Sequence, residues 1–77
     1  MEKDMTTKEI TKEMIPPEMA EMAGHYALIY LSEYDERIDI FNSMQFEMDL
    51  HYESDAPETA AFIDAAINFA IDEWRNQ

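Results

Sequence analysis

The sequence predicts a small α+β domain of two layers, ordered α-α-β-β-β-α, in which a three-stranded antiparallel sheet is packed by a C-terminal helix. Three stretches predict it. MQFEMDLHYES (44–54) alternates Met44, Phe46, Met48, Leu50 and Tyr52 with Gln45, Glu47, Asp49, His51 and Glu53, the period-2 pattern of a strand with one buried face. HYALIYLSEY (25–34) is rich in aromatic and branched residues and apolar on both faces from Tyr26 to Leu31, which suits a strand covered on two sides. ETAAFIDAAINFAIDEW (58–74) runs without a breaker and carries a wide helical apolar face. The competing architecture is an all-α bundle in which the second helix continues through Gly24 and the spacing of Glu33 and Arg37 makes a helical ion pair. The alternation at 44–53 favours the sheet.

Taken in chain order, Thr6 and Glu9 read as a capping box that opens a short helix to about Met14, with Ile10 and Met14 on one side. Pro16 and Pro17 end it. Pro17 suits the first position of a second helix, about 17 to 23, where Met19, Met22 and Ala23 form an apolar stripe and Gly24, the single glycine, serves as the C-terminal cap. The first strand follows, then a turn at Tyr34, Asp35 and Glu36, then a second strand with Ile38 and Ile40 on one side, then a turn at Asn42 and Ser43 that leads into the third strand. The closing helix has Ser54 or Asp55 to cap it, Pro57 in its first turn and Glu58 at the positive end of its dipole. Phe62, Ile63, Ala66, Ile67, Phe69, Ala70, Ile71 and Trp74 cover about half its circumference, while Asp64, Asn68 and Asp72 form a polar line at i, i+4, i+8. The organisation is a helical arm over residues 1–15, charge-neutral over its first twelve, followed by a single acidic domain over residues 16–77.

The chain of 77 residues is 47% hydrophobic with no cysteine, enough apolar material to fold but no disulfide staple or thiolate metal site. MEKDMTTKEITKE is charged where a signal peptide needs an apolar run, and Ala27 to Leu31 is far too short to span a bilayer. A cytoplasmic protein is expected. Charge is the outlier: net −13, with the first twelve residues summing to zero and the remainder offering only Arg37 and Arg75 against its acids. Self-repulsion at that density opposes compaction, and solubility requires much less.

Sites of chemistry are not apparent. His51, Glu53 and Asp55 lie two apart at a strand end, which reads more simply as a surface histidine among acids than as a metal site. An EF-hand frame from Asp35 fails because its sixth position is Ile40 and its twelfth is Phe46. Phosphate loops, dinucleotide fingerprints and activated nucleophiles are missing. The expectation is a non-enzyme with no cofactor and no metal.

Direct nucleic-acid binding is disfavoured, because phosphates need lysine and arginine. An anionic membrane has the wrong sign as well. The inverse is more productive. Alternate residues on a strand face lie about 6.5 Å apart, and each strand of duplex DNA carries a charge about every 3.4 Å. Glu47, Asp49 and Glu53, joined by Asp39 from the neighbouring strand, by Glu33, Asp35 and Glu36 at the turn and by Asp55, would then form a negative array of nucleic-acid spacing. In size and composition the chain resembles the small acidic inhibitors that phages and mobile elements make against host nucleic-acid enzymes: DNA mimics, anti-restriction proteins and anti-CRISPR proteins. The resemblance is one of class, with no shared motif and no residue to carry over. It implies an inhibitor of a bacterial host's CRISPR effector, restriction enzyme or other nuclease, occupying its basic groove. The alternative is an acidic adaptor or regulatory subunit that docks through apolar surface, for which Met19 and Met22 are candidates. A homodimer through the apolar face around Trp74 is compatible with either.

Overall fold

A computed structural model of the chain describes residues 10–52 and 56–75, and those residues form a bundle of three helices rather than a sheet under a helix. A 3-10 turn at Lys12–Met14 leads into α1 (Pro17–Leu31), α2 (Arg37–His51) and α3 (Pro57–Arg75). The described residues contain no strand. All three predicted strands are therefore corrected to helix, and the architecture is the all-helical alternative. The capping box at Thr6 and Glu9 and the caps at Ser54 and Asp55 lie outside the described residues.

The third predicted strand fails for a geometric reason. Two steps along a helix rotate a side chain by about 200°, so a period-2 apolar pattern splits into two rows on nearly opposite faces. One row, Ile40, Met44 and Met48, is fully buried in the core. The other, Ile38, Phe46 and Leu50, stands out in solvent at 61%, 65% and 69% exposure. Phe46 and Leu50 thus do not join the core as the strand reading requires. The turn expected at Asn42 and Ser43 lies mid-helix in α2, whereas the one at Tyr34–Glu36 is found between α1 and α2.

α1 starts as expected, with Pro17 in its first turn, where the missing N–H has no helical partner to lose. It does not stop at Gly24. The helix continues to Leu31 and ends at Ser32, whose Oγ donates to the Ile29 carbonyl at 2.7 Å. The run that looked like a strand covered on both sides resolves into Ala27 in the core, Tyr26, Tyr30 and Leu31 at its margin, and Leu28 and Ile29 exposed. Gly24 is an interior helix residue, and a Cβ placed on it would meet Trp74 Nε1 at 3.6 Å.

α3 supplies the largest share of the core: Ile63, Ala66, Ile67, Ala70 and Ile71. α1 contributes Met19, Ala23 and Ala27, and α1 with α3 makes the most extensive helix pairing. Small side chains on both helices permit close approach of the backbones. The core holds no buried polar or charged side chain among the described residues. Ile15 is buried and Ile10 packs beside it, so the end of the N-terminal arm rests on the bundle.

The polar line of α3 is its seam with α2. Gln45 Nε2 donates to Asp64 Oδ1 at 2.8 Å, Arg37 Nη2 to Asn68 Oδ1 at 3.1 Å, and Arg37 Nη1 to Asp72 Oδ1 at 2.8 Å. The Glu33–Arg37 pair is not made. Glu33 belongs to the connection, and Arg37 turns toward α3. No helix among the described residues is long and apolar enough to cross a membrane.

Candidate functional site

The predicted acidic positions divide into three groups. Glu33, Asp35 and Glu36 are exposed in the connection between α1 and α2, and Asp39 follows in the first turn of α2. These four gather at one end of the bundle. Asp49 lies ten residues beyond Asp39, about 15 Å along the helix axis, and is exposed. Glu47 is turned toward α1, where it meets Tyr30, and Glu53 and Asp55 lie outside the described residues. The array expected at strand spacing is therefore not formed: Glu47 and Asp49 sit about 200° apart around α2.

Glu47 is instead part of the seam between α1 and α2. Its carboxylate accepts a hydrogen bond from Tyr30 Oη at 2.8 Å. That bond to an anion, reinforced by desolvation and by the negative charge itself, pushes the Tyr30 phenol up to about 12, because ionisation would put two negative charges against one another. Tyr30 stacks on Tyr26 and Tyr34 with ring centroids 6.3 and 6.0 Å apart. Tyr26 Oη is 3.4 Å from His51 Nε2. Tyr26 and Tyr30 on α1 and Tyr34 just beyond it thus make an aromatic ladder, and the hydroxyls of Tyr26 and Tyr30 meet the flank of α2. Tyr52, just beyond α2, is raised by burial and then by the charge of Glu18.

The cations are the less obvious half of the site. Lys12 Nζ is 3.0 Å from Glu73 Oε2, and Arg37 is held by Asp72 and Asn68. Arg75 Nη2 donates to the backbone carbonyl of Asp35 at 2.8 Å. All three cations of the described residues are thus engaged with α3 acids, or lie on α3 itself. The ion pairs they make among the described residues leave Glu33, Glu36, Asp39 and Asp49 out. Among the described residues, the few bases hold helices together, and none of them pairs with Glu33, Glu36, Asp39 or Asp49.

Two open grooves are formed by described residues. One, about 460 Å³, is lined by Arg37, Ile38 and Phe41. The other, about 480 Å³, is lined by Glu18, Glu21, Met22, His25, Tyr26 and His51. No group of three or more metal-ligating side chains converges among the described residues; of His51, Glu53 and Asp55, read from sequence as a surface histidine among acids, only His51 is a described residue. The exposed row Ile38, Phe46 and Leu50 is the feature that sequence reasoning missed. Its signal was present in the same alternation, read at the wrong period. Comparison with known proteins finds no matching family model, no matching curated protein and no matching solved structure.

Proposed function

We propose that this chain is a small acidic inhibitor that binds the basic nucleic-acid-binding surface of another protein and blocks it, with host nucleases, restriction enzymes and CRISPR effectors as the target class. The observation that carries the reading is the segregation of charge: Lys12, Arg37 and Arg75 are taken up by contacts involving α3, while Glu33, Glu36, Asp39 and Asp49 face solvent. A net charge of −13, with the three described cations each engaged in contacts involving α3, projects a strong negative field. Such a field steers a basic partner and raises its association rate.

The mimicry is of charge and not of phosphate register. Asp39 and Asp49 lie about 15 Å apart along α2, a span that holds about four phosphates of one DNA strand. Fewer, more widely spaced carboxylates give a field of the right sign without the geometry of a duplex. Affinity is therefore expected to fall steeply as salt rises past the point where the screening length drops below about 10 Å.

The test is capture from a bacterial lysate by the full-length chain, followed by elution with salt and with duplex DNA. Recovery of nucleic-acid-binding proteins that both treatments release supports the reading. A Glu33→Lys, Glu36→Lys, Asp49→Lys variant should lose them. Retention by that variant, or indifference to salt and to DNA, overturns it. The adaptor reading has its own supporting observation in the exposed Ile38, Phe46 and Leu50.

A further inference from the structure

We infer that the outer face of α2 is a docking surface for a basic amphipathic helix presented by a partner protein. The inference rests on the electrostatic reading above and names the element of the partner that meets the acids.

α2 has two apolar faces and, among the described residues, neighbours on only one. Ile40, Met44 and Met48 look inward and are fully buried, whereas Ile38, Phe46 and Leu50 look outward and keep most of their surface in water. Surface helices ordinarily carry one apolar stripe, and single exposed apolar residues need no explanation. Three large ones in register are a different matter. With Asn42 they occupy the i, i+4, i+8, i+12 row, which runs about 18 Å, or just over three turns, along the helix. Three large apolar side chains in one row, interrupted only by Asn42 and set on an otherwise polar surface, mark a contact.

The occupant follows from what surrounds the row. Asp39 and Asp49 fall within the same sector of α2 as Ile38, Phe46 and Leu50, all five are exposed, and Glu36 stands just before the helix. The nearest cation in sequence, Arg37, is bound to Asp72 and Asn68 on the α3 side. A complementary surface therefore carries cations beside apolar anchors. An amphipathic helix with lysine or arginine flanking residues at i, i+3/i+4 and i+7 fits a row of this length and shape. Nucleic acid offers no apolar anchor and is repelled. A second copy of the chain offers the anchors, but two-fold pairing across this face would set Asp39 and Asp49 against the same carboxylates of the other copy and bring two chains of charge −13 together.

The test uses the full chain and an 18-residue peptide of leucine and lysine whose leucines repeat at i, i+3/i+4. The controls are a scrambled peptide of the same composition and a leucine–glutamate peptide of the same pattern. Binding is followed by calorimetry and by amide shifts. The expected result is saturable 1:1 binding to the patterned cationic peptide, with shifts centred on Ile38, Asn42, Phe46 and Leu50. Both controls should bind at least about tenfold more weakly, since anchoring needs the pattern and the sign together. A Phe46→Gln, Leu50→Gln variant should also lose about tenfold or more, with its helical circular dichroism unchanged because both side chains are exposed. An Asp39→Lys, Asp49→Lys variant should lose the salt dependence. If the Gln variant binds within twofold of the parent, or the shifts centre on the groove at Glu18, His25 and His51, the docking inference is wrong. In that case binding that still weakens with salt leaves the electrostatic reading standing. Binding that ignores both salt and the Lys variant removes that reading too. Sedimentation showing a dimer that salt strengthens and the Gln variant abolishes assigns the face to a second copy and overturns the inference.

Discussion

Gly24→Ala is expected to stabilise the protein, and the sign of the effect decides between two ways of reading the chain. Glycine inside a helix costs about 1 kcal/mol relative to alanine, because its unfolded backbone has more freedom to lose and it brings no side chain to the helix. Gly24 lies in the middle of α1, between the buried residues Ala23 and Ala27. The added methyl would face Trp74 Nε1 at 3.6 Å, an ordinary van der Waals separation that needs no movement of either helix. The propensity gain is therefore not offset by a clash. A stabilisation of about 0.5–1 kcal/mol follows, which in a domain of this size raises the thermal midpoint by about 2 to 8 °C. The assay is urea and thermal unfolding followed by circular dichroism at 222 nm, with Trp74 emission reporting whether its neighbour has shifted. The midpoint should rise with the urea slope unchanged. Had Gly24 ended a helix as a left-handed cap, alanine would instead cost about 1–2 kcal/mol. A lowered midpoint, or one that does not move, would refute the continuous helix through residue 24.

Met44→Ala and Phe46→Ala separate the two rows of α2 in the same way: the first removes a fully buried side chain and should cost about 2–5 kcal/mol, while the second should change stability by less than about 0.5 kcal/mol. A sheet with both residues on one buried face would make the two costs similar, and equal losses in denaturant midpoint would sink the helical assignment. Ultraviolet titration of the tyrosines at 295 nm should show Tyr30 ionising near 12, and Glu47→Gln should move that step toward 10. Because the folded phenol holds its proton above the value it has in the unfolded chain, the stabilisation from this contact is full below about pH 10 and lost as pH rises toward 12. An unchanged Tyr30 step in Glu47→Gln would show that the hydrogen bond is not its cause. Raising sodium chloride from 10 to 300 mM should raise the thermal midpoint of the wild-type chain by a few degrees, since screening relieves repulsion among uncompensated acids; a midpoint that falls would mean that the Lys12–Glu73 and Arg37–Asp72 bridges outweigh that repulsion.

Legibility differed from helix to helix for physical reasons. α3 could be read directly: Pro57 and Glu58 mark its start, its apolar positions keep a helical period, and the line Asp64, Asn68, Asp72 becomes the seam that Gln45 and Arg37 close. α2 could not, because Ile38 to Leu50 is apolar on two faces, and two rows at i, i+4 interleave into an apparent strand period. α1 was read only to its midpoint, since a lone glycine signals a cap as readily as a helix-packing site. Of the candidate site, Glu33, Asp35, Glu36 and Asp39 lie at one end of the bundle, and Asp49 is exposed further along α2. Glu47 is tied to Tyr30, a contact between residues seventeen apart that no local pattern announces.

The sequence by itself determined the charge, its concentration outside the first twelve residues, the closing helix and the shortage of cations. These are sums and local periodicities, which do not depend on what packs against what. Only the tertiary structure decided which apolar row of α2 is core and which is surface. That choice depends on α1 and α3 covering Ile40, Met44 and Met48 and leaving Ile38, Phe46 and Leu50 in water. It also decided where the cations go. Arg37, with carboxylates near it in sequence at Glu33 and Glu36, reaches Asp72 thirty-five residues away, because folding places α3 beside it and leaves Glu33, Glu36, Asp39 and Asp49 exposed.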